Sequence, residues 1–197
     1  MKRAGCASVA TLPAKRPTGH WSQGLLQSMS DPSMIVMSDD RMVMIRDKYP
    51  KARHHYLVLP HTDISSLKAL SVSHLPLLKH MLQVATDFVT ELAVHKLAVR
   101  YGLHAQPSMA RLHMHVVSQD FDSGCLKHKK HWNSFTTEFF IDAQSIISSL
   151  EEKGSVEVFD KATCDSLLKM PLRCHVCGEE QSNFPKLKAH TKQHNTK

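Results

Sequence analysis

No stretch of this 197-residue sequence approaches the ~20 consecutive apolar residues that span a bilayer, which excludes a membrane helix. A secretory apolar region is missing as well. Cysteine is scarce and mostly isolated. Of five, only Cys174 and Cys177 lie close together, while Cys6, Cys125 and Cys164 are scattered. That set suits a reducing compartment and a metal site better than a disulfide framework. Residues 1–19 contain no acid; they carry Lys2, Arg3, Lys15 and Arg16, and Pro13 and Pro17 break any helix. They read as a disordered basic tail. The same residues suit a weak nuclear-import patch or a mitochondrial presequence. No internal repeat is visible.

What remains is an ordinary globular composition, 42% hydrophobic, long enough for one cored domain and a small appendage. The formal charge is +7 and the isoelectric point about 9.2, a balance that suggests a polyanionic partner, nucleic acid being the commonest. Met34–Met37 and Met42–Arg46 flank the turn-prone Ser38-Asp39-Asp40, predicting a hairpin. His54–Leu59 reads as a buried strand ending at Pro60. Leu78, Met81, Leu82, Ala85, Val89 and Leu92 recur at helical spacing. Leu97–Leu103 and residues 111–118 read as strands, as does Thr136–Ile141. Ala143–Glu152 reads as a helix closed by Gly154, and Val156–Phe159 as a short strand. Few helices among hairpin-linked strands point to an α+β domain with an antiparallel sheet.

The densest chemistry is Arg111-Leu112-His113-Met114-His115-Val116-Val117. In a strand, alternate side chains share a face, so Leu112, Met114 and Val116 face the core and Arg111, His113 and His115 project together. A neutral imidazole is a good nucleophile toward phosphorus, and a neighbouring imidazole or guanidinium stabilises charge on the phosphoryl oxygens. Two histidines in a strand also fit a solvated face or a metal site, and spacing alone favours that plainer reading.

Context changes the balance. The stretch resembles the His-φ-His-φ-His-φ-φ signature of histidine-triad nucleotide hydrolases and transferases. Asp47-Lys48-Tyr49-Pro50-Lys51-Ala52-Arg53-His54-His55-Tyr56-Leu57-Val58-Leu59-Pro60 and the loop Gly102–Met109 resemble two further segments of that family. His20–Leu25, Phe121-Asp122-Ser123 and Lys129–Phe135 are similar to the aprataxin branch, and the resemblance spans residues 20–197. It implies a histidine-triad fold over 20–165, followed by a finger over 166–197. It further implies a hydrolase that removes AMP from 5′-adenylated, abortively ligated DNA ends in single-strand break repair, in two steps through an adenylyl-histidine. In that scheme His113 is the nucleophile and His115 holds the phosphate. His55 protonates the leaving 5′-phosphate, and His104 and Ser108 contact the phosphate from the loop. Asp47 holds the ribose hydroxyls. Arg111 stands where the family has a histidine; it keeps a positive charge near the phosphate but cannot relay protons, because its pKa exceeds 12. A slower enzyme is expected. Family transferases replace the third histidine with glutamine, so His115 argues for hydrolysis. The forkhead-associated domain with which aprataxins begin is not among these residues, so phospho-scaffold docking is not carried over.

Cys174-x2-Cys177-x12-His190-x3-His194 has C2H2 spacing, able to close a tetrahedron around a structural Zn²⁺. Four protein ligands leave no open position, so no catalytic metal is expected there or elsewhere. Leu187 occupies the usual core position, while Gln181 stands where an aromatic is common and Phe184 lies nearby. Residues 169–197 carry six Lys/Arg against Glu179 and Glu180, which suits phosphate contact. Among further DNA-facing candidates, Lys51 and Arg53 flank the His55 strand and suit either the phosphate path or surface solubility; the resemblance implies that Lys130 contacts DNA phosphate, that Trp132 supports the pocket by packing, and that Trp21 is a wedge that stacks on a terminal base pair. The partner implied is nicked or terminal duplex DNA, not a membrane, and the location nuclear, with mitochondrial import the alternative. A small-molecule phosphoramidate or dinucleotide hydrolase, and a non-catalytic DNA-end-binding protein disabled at Arg111, are the competing readings. A transcription factor is disfavoured, because one finger reads only ~3 base pairs.

Overall fold

The computed structural model describes residues 24–92 and 97–194. Six strands form one antiparallel sheet: β1 (Ile35–Ser38), β2 (Met42–Arg46), β3 (His55–Pro60), β4 (Val99–His104), β5 (Met114–Ser118) and β6 (Phe140–Asp142), in the order β1-β2-β3-β5-β4-β6. The fold is α+β. β5 lies at the centre, paired on both sides, which is why its five residues are all buried.

Strand alternation divides the sheet into two differently covered faces. On one, Met42, Met44, Tyr56, Val58, Met114 and Val116 pack against Leu78, Met81 and Ala85 of α2 (Leu75–Glu91) and Ile146, Ile147 and Leu150 of α4 (Ala143–Lys153). α2 opens on Pro76 in its first turn, where the missing N–H costs nothing. α4 closes on Gly154, whose φ of 71° needs no Cβ penalty there. Each large side chain buried here stabilises by about 1.5–3 kcal/mol.

The opposite face carries Val43, Ile45, Leu57 and Leu59 under Leu25 of α1 (Gly24–Met29). Further along, Val117 joins Phe121, Trp132, Phe135, Leu172, Cys174 and Leu187. Between these two apolar patches lie the histidines. The second patch is built by α3 (Lys129–Thr136) and the finger helix α6 (Phe184–His194), while α5 (Lys161–Lys169) packs against α3 and puts Cys164 in a separate cluster with Ala105 and Phe139.

Three readings of the sequence change. Val156–Phe159 forms no strand; Val156 and Val158 pack extended against the α2–α4 core and Phe159 against Cys164. The strand read over Thr136–Ile141 divides: Thr136 ends helix α3, which the His128 side chain caps by accepting from the His131 amide, and only Phe140 and Ile141 of that stretch enter β6. β5 starts at Met114 rather than at 111, because Arg111 adopts φ 87° and breaks the extended run. Trp21 and the basic tail lie outside the described residues.

Candidate active site

His115 is the second residue of β5 and sits opposite Leu57 of β3 and Gly102 of β4. A Cβ at Gly102 would lie 2.5 Å from both the Ile141 carbonyl oxygen and Cε1 of Phe140. Glycine there lets the Phe140 ring close in beside the histidines. His55 opens β3, His104 ends β4, and His113 immediately precedes β5, so four rings from three strands converge. The His115 ring centroid is 5.2 Å from His55, 4.4 Å from His104 and 5.0 Å from His113. Phe135 lies edge-on to His55, His104 and His115 and seals the cluster from below.

The hydrogen bonds fix where each proton sits. The Lys51 amide donates to Nδ1 of His55 at 3.0 Å, so in the neutral ring the proton is on Nε2. That Nε2–H donates to Nδ1 of His115 at 2.9 Å. His115 therefore carries its own proton on Nε2, which is buried without a partner. His113 donates from Nδ1 to the Arg111 carbonyl at 2.9 Å, leaving its Nε2 lone pair unengaged. The pocket thus holds the His113 lone pair and, on the neighbouring ring, the His115 N–H donor, both set by backbone groups, beside the buried and equally unpartnered Nε2 of His104.

Burial keeps these rings neutral. It pulls His55 down to about 4 against the opposing charge of Asp47. His104 and His115 are pushed well below their ordinary value, first by burial and then by one another and Lys51. Burial also lowers His113, partly offset by the Arg111 carbonyl and Asp47. A neutral His113 keeps its lone pair at pH 7.

The remaining candidates fall around this cluster. Asp47 lies 3.5 Å from Nε2 of His55 and accepts the Tyr49 amide at 2.7 Å. The Lys51 ammonium bonds the Tyr49 carbonyl. Ser108 is exposed in the loop 105–113, and Lys130 is exposed in the first turn of α3. Arg53 is paired with Asp122 at 2.9 Å. Arg111 does not join the histidine face: its guanidinium donates to the carbonyls of Pro60 at 3.0 Å and His61 at 2.7 Å. The positive φ turns its side chain away while its carbonyl points at His113. His55, expected to face the leaving group, has its Nε2–H engaged by His115. Of the floor residues, Phe140 was not singled out from the sequence, and Gly102 and Phe135 entered only as ends of matched segments, without a role. The only sequence signal is a glycine in a strand, which marks a close approach.

Among the described residues two groups have metal-ligand spacing. In Asp47–His55–His115 the metal-facing Nε2 of His55 bears the proton that Lys51 dictates, which disfavours an ion. Cys174, Cys177, His190 and His194 fit one. Cys177 Sγ lies 3.1 Å from His190 Nε2, and that atom 3.2 Å from His194 Nε2. These approach the edges of about 3.3–3.7 Å that tetrahedral zinc with N and S ligands requires. The Glu179 backbone and then His190 draw the Cys177 thiol down to about 6, toward the thiolate that binds metal. Zinc there would be structural. The finger is docked on the sheet domain: Trp132 Nε1–H donates to the Arg173 carbonyl at 2.9 Å and His175 Nε2–H to Gln119 at 2.8 Å.

Two family profiles match this chain. The one described as scavenger mRNA decapping enzyme C-terminal binding covers residues 20–131, and a C2HE/C2H2/C2HC zinc-binding finger covers residues 136–197. The aprataxin of Danio rerio is 60% identical over 177 residues, 89% of this chain and 54% of that protein. An aprataxin-like protein of Schizosaccharomyces pombe is 30% identical, covering 79% of this chain and 72% of the relative. This chain thus spans about half the length of the Danio rerio protein and 59% of the Gallus gallus one. Among solved structures, an aprataxin ortholog, Hnt3, in complex with DNA superposes with a TM-score of 0.71 at 26% identity, covering 89% of this chain and 93% of that one.

Proposed function

Because this chain belongs to the aprataxin family of histidine-triad proteins, we propose that it is a nucleotidyl hydrolase that removes AMP from 5′-adenylated DNA ends. The observation that carries this reading is the buried, unpartnered Nε2–H of His115 beside the free Nε2 lone pair of His113. An unsatisfied buried donor costs about 1–3 kcal/mol, which an anionic oxygen entering the pocket recovers.

Nε2 of His113 attacks the adenylate phosphorus and forms a P–N bond as the P–O bond to the DNA 5′-phosphate breaks. His115 donates its Nε2–H to a non-bridging oxygen, where negative charge concentrates in the transition state. A departing phosphate has a second pKa near ~6, so it leaves without a proton from the protein. Lys51 screens the charge. His55, which the resemblance cast as a proton donor, instead holds His115 in the donating tautomer, with Asp47 behind it. Water then attacks the phosphorus of adenylyl-His113, the P–N bond breaks, and AMP and one proton are released.

The finger and the exposed Lys130 of α3 support a DNA substrate over a free nucleotide, which needs neither. The Hnt3 neighbour was solved in complex with DNA, and its likeness covers 89% of this chain. Cys174, Cys177, His190 and His194 would hold a zinc ion whose part would be to fix the finger's shape.

The test is a nicked duplex carrying a labelled 5′-adenylate. AMP release by the wild type, its loss in His113→Ala, and an acid-quenched adenylyl group mapped to His113 support the reading. Salt-sensitive DNA binding without AMP release would leave an end-binding protein, and hydrolysis of small adenylates alone would leave a nucleotide hydrolase.

A further inference from the structure

Within the connection from β5 to α3, residues 119–125 contribute no group to the reaction above, yet they touch both the finger and the turn that precedes the strand carrying His55. From the finger, the ammonium of Lys188 on α6 donates to the Ser123 carbonyl at 2.8 Å, and His175 donates to the Gln119 carbonyl at 2.8 Å. Toward the catalytic side, the Ser123 hydroxyl donates to the Pro50 carbonyl at 2.5 Å and accepts the Cys125 amide at 3.0 Å. Pro50 directly precedes Lys51, whose amide sets the His55 tautomer. Ser123 is thus a single residue bonded to the finger through its carbonyl and to the Pro50–Lys51 turn through its hydroxyl.

The finger holds the segment together with the Asp120 carboxylate, which accepts the Asp122 amide at 3.0 Å and the Arg53 amide at 3.3 Å, and with the Arg53–Asp122 pair at 2.9 Å. Phe121 adopts φ 47°, a left-handed conformation that a bulky residue tolerates only when its surroundings impose it. Its ring is clamped 5.0 Å from Trp132 and 4.9 Å from His175 of the finger.

We infer that Ser123 is a positioning residue, through which the docked finger holds the Lys51 amide on His55 and so sets the turnover of the histidine cluster. The consequence follows from proton polarity. If the Lys51 amide shifts, Nδ1 of His55 can take the ring proton, and Nε2 becomes an acceptor. Two lone pairs would then face each other across the His55–His115 contact, and His115 must move its proton to Nδ1. Its Nε2, now an acceptor, would repel the phosphoryl oxygen that it is placed to bind. Misplacement on this scale costs up to ~100-fold in rate without touching the substrate.

This inference rests on the deadenylase reading, so its test carries a readout that does not. In the whole 197-residue chain loaded with zinc, Ser123→Ala, Ser123→Thr and Lys188→Met are compared with wild type. The ring ¹⁵N signals of His55 and His115 report which nitrogens are protonated. The kcat and KM are measured on an adenylated nick and on a small adenosine phosphoramidate lacking DNA. Metal content confirms that each variant keeps its zinc. Expected are a His55 Nδ1 that loses its acceptor signature in Ser123→Ala and Lys188→Met, restored in Ser123→Thr, with kcat about tenfold lower on both substrates and KM within twofold. The Ser123→Ala/Lys188→Met double variant should be no worse than Ser123→Ala. Unchanged ring signals overturn the inference, as does a Lys188→Met effect confined to KM for DNA, which would make the lysine a phosphate contact only. If neither substrate is hydrolysed by wild type, the deadenylase reading fails while the ring signals still decide the coupling.

Discussion

Nε2 of His55 lies 2.9 Å from Nδ1 of His115, and the direction of that hydrogen bond decides which nitrogen of His115 carries its proton. With Lys51 donating on the far side of His55, the bond runs from His55 to His115, and His115 presents a donor to the pocket. A reversed bond would present an acceptor to an anion. The chemistry therefore depends on the relation between these two buried rings as much as on the nucleophile beside them.

The first prediction concerns His55. An orienting residue and a general acid are separated by their dependence on the leaving group. His55→Ala should lower kcat about 10²-fold, and by the same factor for a phosphate leaving group as for the more basic amine of a phosphoramidate. A loss confined to the amine substrate would restore the role of proton donor to His55. Single-turnover rates on the two substrates make the comparison.

Acid should unfold this protein early. His55 titrates at about 4 in the fold against an ordinary value near ~6.5, so as pH falls the unfolded chain takes up its proton first. The stability associated with neutral His55 is complete above ~6.5 and is lost as pH falls toward 4. By pH 5 the loss from His55 alone is about 2 kcal/mol. His104, His113 and His115 are shifted in the same direction and deepen it. The urea midpoint should drop between pH 7 and pH 5, and more steeply in wild type than in His55→Gln. A flat midpoint over that window would show that the cluster is not buried neutral.

Arg111 differs from its expected role, and its variants should show it. Its side chain holds the Pro60 and His61 carbonyls, whereas the nucleophile depends only on its carbonyl. Arg111→Ala should cost about 1–2 kcal/mol of stability through the lost bonds, with kcat reduced less than tenfold. Arg111→Gly should cost less, because glycine adopts φ 87° without strain. Arg111→His should show no gain in rate. A large acceleration in Arg111→His would place this side chain back at the phosphate. Thermal midpoints and AMP release are read together.

Much of this was legible in the sequence because it was written in periodicity. The alternating run around Met114 and Val116, the α2 repeat from Leu78 to Val89 and the Cys174–His194 spacing all specify geometry by themselves. What stayed hidden depended on groups distant in the chain. Nothing in the order Arg111-Leu112-His113 announces a positive φ, because that torsion is imposed by carbonyls fifty residues earlier. Helix α3 was obscured since its apolar positions, Trp132 and Phe135, are few and its N-terminal residues are basic. The floor of the site escaped because Phe135, Phe140 and Gly102 meet only once β4 and β6 pair.

Gly102 gives a further test of that floor. Its absent Cβ would meet backbone, the Ile141 carbonyl, as well as the Phe140 ring, so β6 cannot yield without breaking its ladder. Gly102→Ala should destabilise by about 1–3 kcal/mol and lower kcat, because Phe140 would be driven against His104 and His115. A variant with wild-type stability and rate would mean that the two strands have more freedom than their contacts indicate.

Zinc removal should be visible in the sheet domain and not only in the finger. Leu172, Cys174 and Leu187 are buried against Phe121 and Trp132, and the Trp132 indole donates to the Arg173 carbonyl. Only two tryptophans are present, so a Trp21→Phe background isolates Trp132. Chelation should red-shift its emission as water reaches the ring, and lower the thermal midpoint of the whole protein, since the finger's core residues cap that of the catalytic domain. Readdition of Zn²⁺ should reverse both changes, and Cys177→Ala should mimic chelation without responding to zinc. An unshifted Trp132 spectrum after full removal of zinc, verified by metal analysis, would mean that the finger holds its dock by apolar contact alone. In that event the metal would bear on DNA grip rather than on the shape of the site.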